Sequence, residues 1–390
     1  MHIGVDATCW QLPRGFGRHP RCLLTALRQV DSDNTYTFFT DSPAATAELS
    51  AVAPVRLVKT SRPTIAEAAA ATTRTIGDLV AMSRAMSDRS IDVLLFPTAY
   101  TCVPVLSRAK KVLVIHDLTA ERYPGLTLDG LGSRWLWTIK STLSRRQADA
   151  IATVSDYSRQ ALVDEFGIDR ERIHIIGEAS DPIFHRLDHP RPTARLVSFG
   201  LTGARRLVVY VGGFSPHKNV PRLIEAFGHL ADRQDCTDVD LVLVGGYEHD
   251  TFRTAYQDTR ERIRTLALDR RVILTGFLPD ADLVALLNLA TVLVLPSMTE
   301  GYGLPAIEAA ACGCPVIATT ESPLPDLLGE GGLYIDPRSP AALLDALNRV
   351  LTSPDRQEYM KRAGLAAAAR LTWRAAARDL VRLMHDTMRQ

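Results

Sequence analysis

A chain of 390 residues is longer than one ordinary hydrophobic core sustains, and 46% apolar with 23% charged residues supplies two buried cores while excluding a disordered or fibrous chain. A formal net charge of +1 excludes a global field that would gather nucleic acid, so an anionic ligand has to be met by a local arrangement in a pocket. The six cysteines (Cys9, Cys22, Cys102, Cys236, Cys312 and Cys314) lack the paired spacing of a zinc site and are too sparse for a disulfide scaffold.

The first predicted element is the strand HIGVD, and QLPRGFGRHP after it puts Gly15 and Gly17 in a loop ahead of a helix. Met1 leads into that strand with no charged leader, and no run nears the roughly 20 apolar residues that span a bilayer. The expectation is cytoplasmic residence, with membrane contact at most peripheral to the inner face. TYTFF, VRLVK, DVLLF, KVLVIH and AIATV are further short apolar runs rich in β-branched residues, with helical patterns between most of them. Residues 41–90 read least clearly, apart from an Ala-rich helix expected over 66–73. KVLVIH ends on His116 and Asp117, and IHIIGEASDPIF further on carries Gly177, Glu178 and Ala179. The run SRWLWTIKSTLSRR, with Trp135, Trp137, Lys140, Arg145 and Arg146, reads as an amphipathic helix with a solvated basic face, or as a contact for an anionic or lipid acceptor.

Pro, Arg, Gly and polar residues interrupt the rhythm over 186–206, where the seam between two domains is expected, giving domains of 1–190 and 191–372. RLVVYVGG, DLVLVGG, RVILTG, TVLVLPS and PVIAT then repeat the pattern of the first half. Continuous apolar strands alternating with helices imply parallel sheets covered on both faces, so the chain reads as α/β with two doubly wound domains. In YVGGFSPHKN, residues Gly212, Gly213, His217 and Lys218 follow a strand at its C-terminal end, where α/β sheets bind ligands. TGFLPDADLVALLNLA places Gly276, Phe277 and Leu278 at a similar strand-to-helix turn.

The most informative segment is LPSMTEGYGLPAIEAAACGCPVIAT. It reads as a strand ending at Leu295, a loop with Glu300, Gly301, Tyr302 and Gly303, and a helix starting near Leu304 or Pro305. The glycines allow close backbone approach and the helix start offers free amides, a site for a phosphate. Glu308 stands about a turn inside that helix and its side chain leans back toward the same opening. Two carboxylates beside a diphosphate repel it unless they point to the uncharged hydroxyls on either flank. The plainer alternative is a solvated loop acid at Glu300 and an acid favoured by the helix dipole at Glu308. Asp238 and Asp240 spell a DxD pattern, set aside because Asp240 opens an apolar strand; Cys312 and Cys314 read as core or capping residues. No metal site is expected. Beyond LYID come two or three helices, the last over 375–388 with Leu380, Leu383 and Met384 on one side.

The segment from Glu300 to Glu308, two glutamates with seven residues between them around a Gly-rich turn, resembles the signature of the family-four retaining glycosyltransferases of the GT-B fold. The resemblance covers most of 111–337. It implies a cleft between two Rossmann-like domains, the first on the acceptor side and the second on the donor side, with the terminal helix, 373–390, crossing back to the first domain. It makes Lys218 the donor-phosphate lysine, His116 the residue of a His-Asp pair near the reacting sugar, and Gly276 to Leu278 the lining of a nucleobase pocket. The loop of Gly15 and Gly17 would reach the donor phosphate or the acceptor. Glu300 would hold the transferred sugar and Glu308 the ribose. The implied catalytic residues are His116, Lys218 and Glu300; the acceptor-side ones are His116, Asp117 and Glu178. The sequence departs from the pattern with Gly213 and His217 where relatives carry arginine, and with Gly177, Glu178 and Ala179 where they read Asn-Gly-Val.

The function implied is metal-independent, cofactor-free, retaining transfer of a hexose-type sugar from a UDP- or GDP-sugar to a hydroxyl of a sugar, lipid-linked or natural-product acceptor. A monomer or homodimer without nucleic-acid partner is expected. Two alternatives stay open, a nucleotide-sugar epimerase or hydrolase of the same fold and a non-catalytic nucleotide-sugar-binding subunit.

Overall fold

The apolar runs pair into two all-parallel sheets, each in its own compact unit: Met1–Glu178 with Thr372–Gln390 (unit 1) and Ala179–Leu371 (unit 2). The computed structural model describes the chain except residues 13–14, 62–63, 65–73, 247–252 and 390 and the side chains of 15 and 16.

In chain order unit 1 contains β1 (His2–Asp6), α1 (Gly15–Val30), β2 (Thr35–Thr40), α2 (Pro43–Leu49), β3 (Val55–Leu57), α3 (Ile76–Met86), β4 (Val93–Phe96), β5 (Lys110–Ile115), α4 (Thr119–Arg122), α5 (Pro124–Thr127), α6 (Gly130–Gln147), β6 (Ala150–Thr153), α7 (Asp156–Phe166) and β7 (Ile173–Ile175). Unit 2 contains α8 (Ala194–Ser198), β8 (Arg206–Val211), α9 (Val220–Ala231), β9 (Val239–Val244), α10 (Tyr256–Thr265), β10 (Val272–Gly276), α11 (Asp280–Leu289), β11 (Val292–Leu295), α12 (Leu304–Ala311), β12 (Val316–Thr319), α13 (Leu324–Leu328), β13 (Gly332–Ile335), α14 (Pro340–Leu351) and α15 (Pro354–Ala368). The last helix, α16 (Trp373–Arg389), belongs to unit 1 and packs on α1. Trp373, Ala376, Ala377, Leu380, Leu383 and Met384 form its buried stripe at helical spacing.

The strand orders are β3-β2-β1-β4-β5-β6-β7 and β10-β9-β8-β11-β12-β13. Each sheet therefore winds outward from its first strand, then reverses and continues on that strand's other edge. The reversal opens a crevice at the C-terminal strand ends, between β1 and β4 in one sheet and between β8 and β11 in the other, the usual seat of a ligand in doubly wound folds. β9 and β11 are buried along their whole lengths, which is why these strands read as unbroken apolar runs. Ser and Thr caps fix several helix starts: Ser42 accepts from Ala45 N, Thr75 from Asp78 N, and Ser155 from Ser158 N.

Three expectations change. Gly15 opens α1 and Gly17 lies in its first turn, so neither sits in a loop ahead of the helix; a Cβ on Gly17 would stand 1.8 Å from the Leu12 carbonyl oxygen, and the glycine is needed for that contact. The seam expected over 186–206 falls inside unit 2 and contains α8. In α6 the face presented to solvent is the apolar one. The helix expected over 66–73 lies outside the described residues. Among the described residues no helix is long and apolar enough to cross a membrane.

Candidate functional site

In unit 2 the reversal point is built by two loops that tie to each other. The loop after β8 runs through Gly212 and Gly213 into a single 3-10 turn, Pro216–Lys218, and closes at Asn219 with φ +60°. The side-chain amide of Asn219 donates to the carbonyls of Pro296 (3.0 Å) and Pro337 (3.1 Å), anchoring this loop to those after β11 and β13. Met298 N donates to the His217 carbonyl at 2.7 Å. Two loops far apart in sequence are thus locked backbone to backbone.

That locking brings Lys218 Nζ to 2.7 Å from Glu300 Oε1, and Ser297 Oγ donates to the same oxygen at 2.6 Å. Glu300 N donates to the Glu321 carbonyl at 3.0 Å, so the acid is fixed at both backbone and side chain. Lys218 keeps 25% of its side chain exposed against 11% for Glu300, leaving the ammonium as the accessible member of the pair. His217 is pushed down to about 3 by burial and then by Lys218, so it is neutral at working pH and Lys218 is the cation of the loop 212–219.

Gly303, at φ +84°, makes the turn into α12; a Cβ there would also stand 2.8 Å from Leu324 Cδ1. Pro305 has no amide hydrogen, and Ala306 and Ile307 donate to the Gly303 carbonyl. Gly303 and Leu304 are left as amides at the helix start that the helix does not use, at its positive end. Tyr302 is buried, and so is Glu308 on the second turn, at 3% exposure. Glu308 is the second cause, after burial, that pushes the Cys312 thiol up to about 12.

Gly212, Gly245 and Gly276 cap neighbouring strands. Gly245 N donates to the Gly276 carbonyl at 3.0 Å, and a Cβ on Gly245 would stand 1.9 Å from the Gly212 carbonyl oxygen. Gly245 escaped the sequence reading, although LVLVGG carries it. Beside this flat floor Leu278 is buried while Phe277 is 66% exposed. Asp238 and Asp240 have structural partners in Arg206, and in Arg205 with Arg271.

In unit 1 the strand ends gather a second set. His116 follows β5 and Glu178 follows β7 after Gly177, which turns the chain at φ +68°. His116 Nδ1 lies 3.0 Å from Glu178 Oε1 and its Nε2 lies 3.0 Å from the Pro97 carbonyl. Both ring nitrogens face acceptors, so both carry hydrogen and His116 is held as an imidazolium paired with a carboxylate. Burial opposes that charge, but the bond and charge of Glu178 outweigh it and raise the His116 pKa. Burial likewise opposes ionisation of Glu178, but His19 and His116 bring it down to about 2.

The sequence reading missed His19, in α1. Its Nδ1 stands 2.8 Å from the same Glu178 oxygen but out of line for a hydrogen bond, and its ring meets those of His116 (4.2 Å) and Trp373 (5.3 Å) edge-on. Burial and then His116 lower its pKa. Among the described residues His19, His116 and Glu178 are the group able to hold a metal ion, their ligand atoms lying within 4.8 Å of one another. The Glu178 oxygen bonds His116 at 3.0 Å, while His19 stands 2.8 Å from it without a hydrogen bond.

Beside His116 a pocket is lined by Tyr100, Asp117, Glu121, Trp137 and Arg145. Asp117 accepts from Thr119 N at 2.8 Å. Burial and then Asp117 push Glu121 up to about 7, a carboxyl poised near neutrality that no sequence pattern announces.

Replacing Glu178 with Gln removes the carboxylate from a buried imidazolium, and unit 1 is expected to lose on the order of 3 kcal/mol in urea unfolding. The depressed Glu178 pKa stabilises the native state above the ordinary carboxyl value of 4.5, and that contribution is lost as pH falls toward about 2. The raised His116 pKa stabilises it below 6.5 and is lost as pH rises through the folded value. The variant should flatten both limbs of the stability profile; an unchanged profile would show the pair to be incidental.

Residues 197–366 match the family Glycosyl transferases group 1 and residues 13–182 match Glycosyltransferase Family 4. The chain is 30% identical over 245 residues to a D-inositol 3-phosphate glycosyltransferase of Corynebacterium glutamicum, covering 62% of this chain and 58% of that protein. It is 31% identical over 232 residues to the O-antigen chain mannosyltransferase B of Escherichia coli, covering 58% of each. The chain thus spans under two thirds of the length of these curated relatives. Sucrose-phosphate synthase from Thermosynechococcus elongatus superposes at TM-score 0.76 and 18% identity over 99% of this chain and 98% of that one. Anabaena HepE, solved with UDP and glucose, superposes at TM-score 0.74 and 17% identity over 99% of both. These likenesses show the fold: two Rossmann-like domains of the GT-B class.

Proposed function

From the premise that this chain belongs to the group 1, family-four glycosyltransferases, we propose that it moves a hexose-type sugar from a nucleoside diphospho-sugar to an acceptor hydroxyl, with retention and without a metal ion. The observation that carries this reading is the meeting of Lys218 and Glu300 at 2.7 Å, with Glu300 three residues ahead of the Gly303 turn, where the helix leaves the amides of Gly303 and Leu304 unused. The diphosphate of a nucleotide sugar carries two negative charges, and a third builds on its departing oxygen as the bond to the sugar breaks. Lys218 and the two amides supply opposite charge where it develops, the role a metal ion fills in other enzymes. Glu300, fixed by Ser297 and its backbone, accepts from hydroxyls of the transferred sugar. Glu308 serves the ribose, and the exposed Phe277 above the three-glycine floor serves the base.

As the anomeric carbon's bond to the diphosphate oxygen breaks, the acceptor oxygen bonds to the same face, and its proton passes to the departing diphosphate. Protein residues position and neutralise; none forms a bond to the sugar. His116 and Asp117 belong to the acceptor side, where the His116 imidazolium, with both N–H groups directed at Glu178 and Pro97, supplies positive charge and cannot act as a base while Glu178 holds it charged. Two relatives, an O-antigen mannosyltransferase and a mannosylfructose-phosphate synthase of Agrobacterium fabrum (27% identical over 61% of this chain and 53% of that protein), have names that support a hexose-type sugar.

A thermal-shift screen of nucleotides and nucleotide sugars tests this, because a ligand that binds the folded state raises the melting temperature. A UDP- or GDP-sugar is expected to stabilise the protein, and turnover of that donor should be unchanged by EDTA. No stabilisation by any nucleoside diphosphate, or an absolute requirement for added Mg²⁺, would overturn the reading. Nucleotide release that proceeds at the same rate without any acceptor would favour a hydrolase instead.

A further inference from the structure

Helix α6 faces the wrong way for a helix of a water-soluble surface. Its buried side carries Trp137, Ser141 and Ser144, while Leu131, Trp135, Leu136, Ile139 and Leu143 are exposed, Leu131 at 81% and Trp135 at 72%. At 100° per residue these five side chains share an arc of about 140°. A solvated helix buries such residues and exposes its serines; here the order is inverted over four turns.

The charge of the helix adds a second, independent feature. Between 130 and 147 there are four basic residues, Arg134, Lys140, Arg145 and Arg146, and no acidic one. Two of the cations have identified inward contacts: Lys140 donates to the Tyr100 carbonyl, and the Arg145 guanidinium lies 3.5 Å from the Phe166 ring centroid. Arg146 is exposed within the apolar arc itself. Val105 N donates to Gln147 at the C-terminal end of the helix, and the next residue, Leu106, is 94% exposed with Arg108 exposed beyond it. The patch therefore continues from the helix onto this loop with the same mix of apolar and basic residues.

We propose that this face docks unit 1 on a bilayer surface bearing anionic headgroups, α6 lying in the plane of the interface with Leu131, Ile139 and Leu143 among the acyl chains and Trp135 at the headgroup level. Exposed leucine and isoleucine gain by leaving water, tryptophan favours the headgroup level, and basic residues are drawn to anionic lipid; together they are the composition of an interfacial helix. A protein groove would satisfy the apolar arc but gives no reason for the absence of every acid between residues 130 and 147. The other side of α6 supplies Trp137, Ser141 and Arg145 to the pocket beside His116 and Asp117. An acceptor hydroxyl carried on a lipid would reach that pocket from the docked face; this acceptor class rests on the glycosyl transfer proposed above, whereas the docking surface does not.

Flotation of the full chain with vesicles of phosphatidylcholine alone, and of phosphatidylcholine mixed with phosphatidylglycerol, tests the proposal without any activity assay. Binding to the mixed vesicles is expected, weakened by salt, and reduced at least tenfold by the double substitution Leu131→Ser and Trp135→Ser. Arg146→Glu should reduce it with the apolar arc intact. Both substitutions are at exposed positions, and an unchanged melting temperature shows that the fold is kept. Failure to bind either vesicle would overturn the proposal, as would a wild-type dimer that the double substitution dissociates without changing vesicle binding, which would assign the face to a second copy of the chain.

Discussion

Lys218→Ala is expected to abolish sugar transfer, lowering turnover by roughly a thousandfold while unit 2 stays folded. The side chain is a quarter exposed and reaches one partner, Glu300, so its loss opens no core cavity. The Asn219 anchors and the bond from Met298 N to the His217 carbonyl involve neighbouring residues and survive the substitution. What disappears is the cation of the loop 212–219, because His217 is neutral and cannot deputise. The remaining stabilisation of a leaving diphosphate would come from the helix start alone. Steady-state kinetics beside a melting curve check this, and near-normal turnover in the folded variant would remove Lys218 from the mechanism.

Glu300→Gln is expected to fail differently. The amide keeps the shape and still accepts from Ser297, so the loop holds, but it accepts weakly from sugar hydroxyls and turnover should fall by roughly a hundredfold or more. It also releases Lys218 from the partner that holds it at 2.7 Å in the free protein. A diphosphate entering the wild type has to compete with Glu300 for that ammonium; in the variant it does not. Nucleoside diphosphate affinity is therefore expected to hold or rise while turnover collapses. Loss of both together would mean that Glu300 organises the loop and does not meet the sugar.

Much of this was legible in the sequence because parallel strands covered on both faces are continuous apolar runs, and their C-terminal ends are where glycines, Lys218, Glu300 and His116 stood. The glycine pair at 301 and 303 with Pro305 marked the start of α12 correctly, since a left-handed turn and a missing amide hydrogen have few other uses. Pattern could not reach what depends on long-range contact. The partnership of His19 with Glu178 joins α1 to the end of β7, and nothing local to either residue announces it. Gly17 reads as a phosphate-loop glycine until the Leu12 carbonyl is seen against it. Helix α6 shows the limit most plainly, because amphipathic periodicity identifies two faces and does not say which one the protein buries.

The central claim is that Lys218 and the start of α12 form one diphosphate site. Calorimetric titration with UDP or GDP and with the matching monophosphate, on wild type and Lys218→Ala, tests it most directly. The account predicts that wild type prefers the diphosphate and that the variant loses most of that preference, a drop in diphosphate affinity of roughly ten- to a hundredfold with the monophosphate little changed. Equal affinity of both proteins for the diphosphate would contradict it.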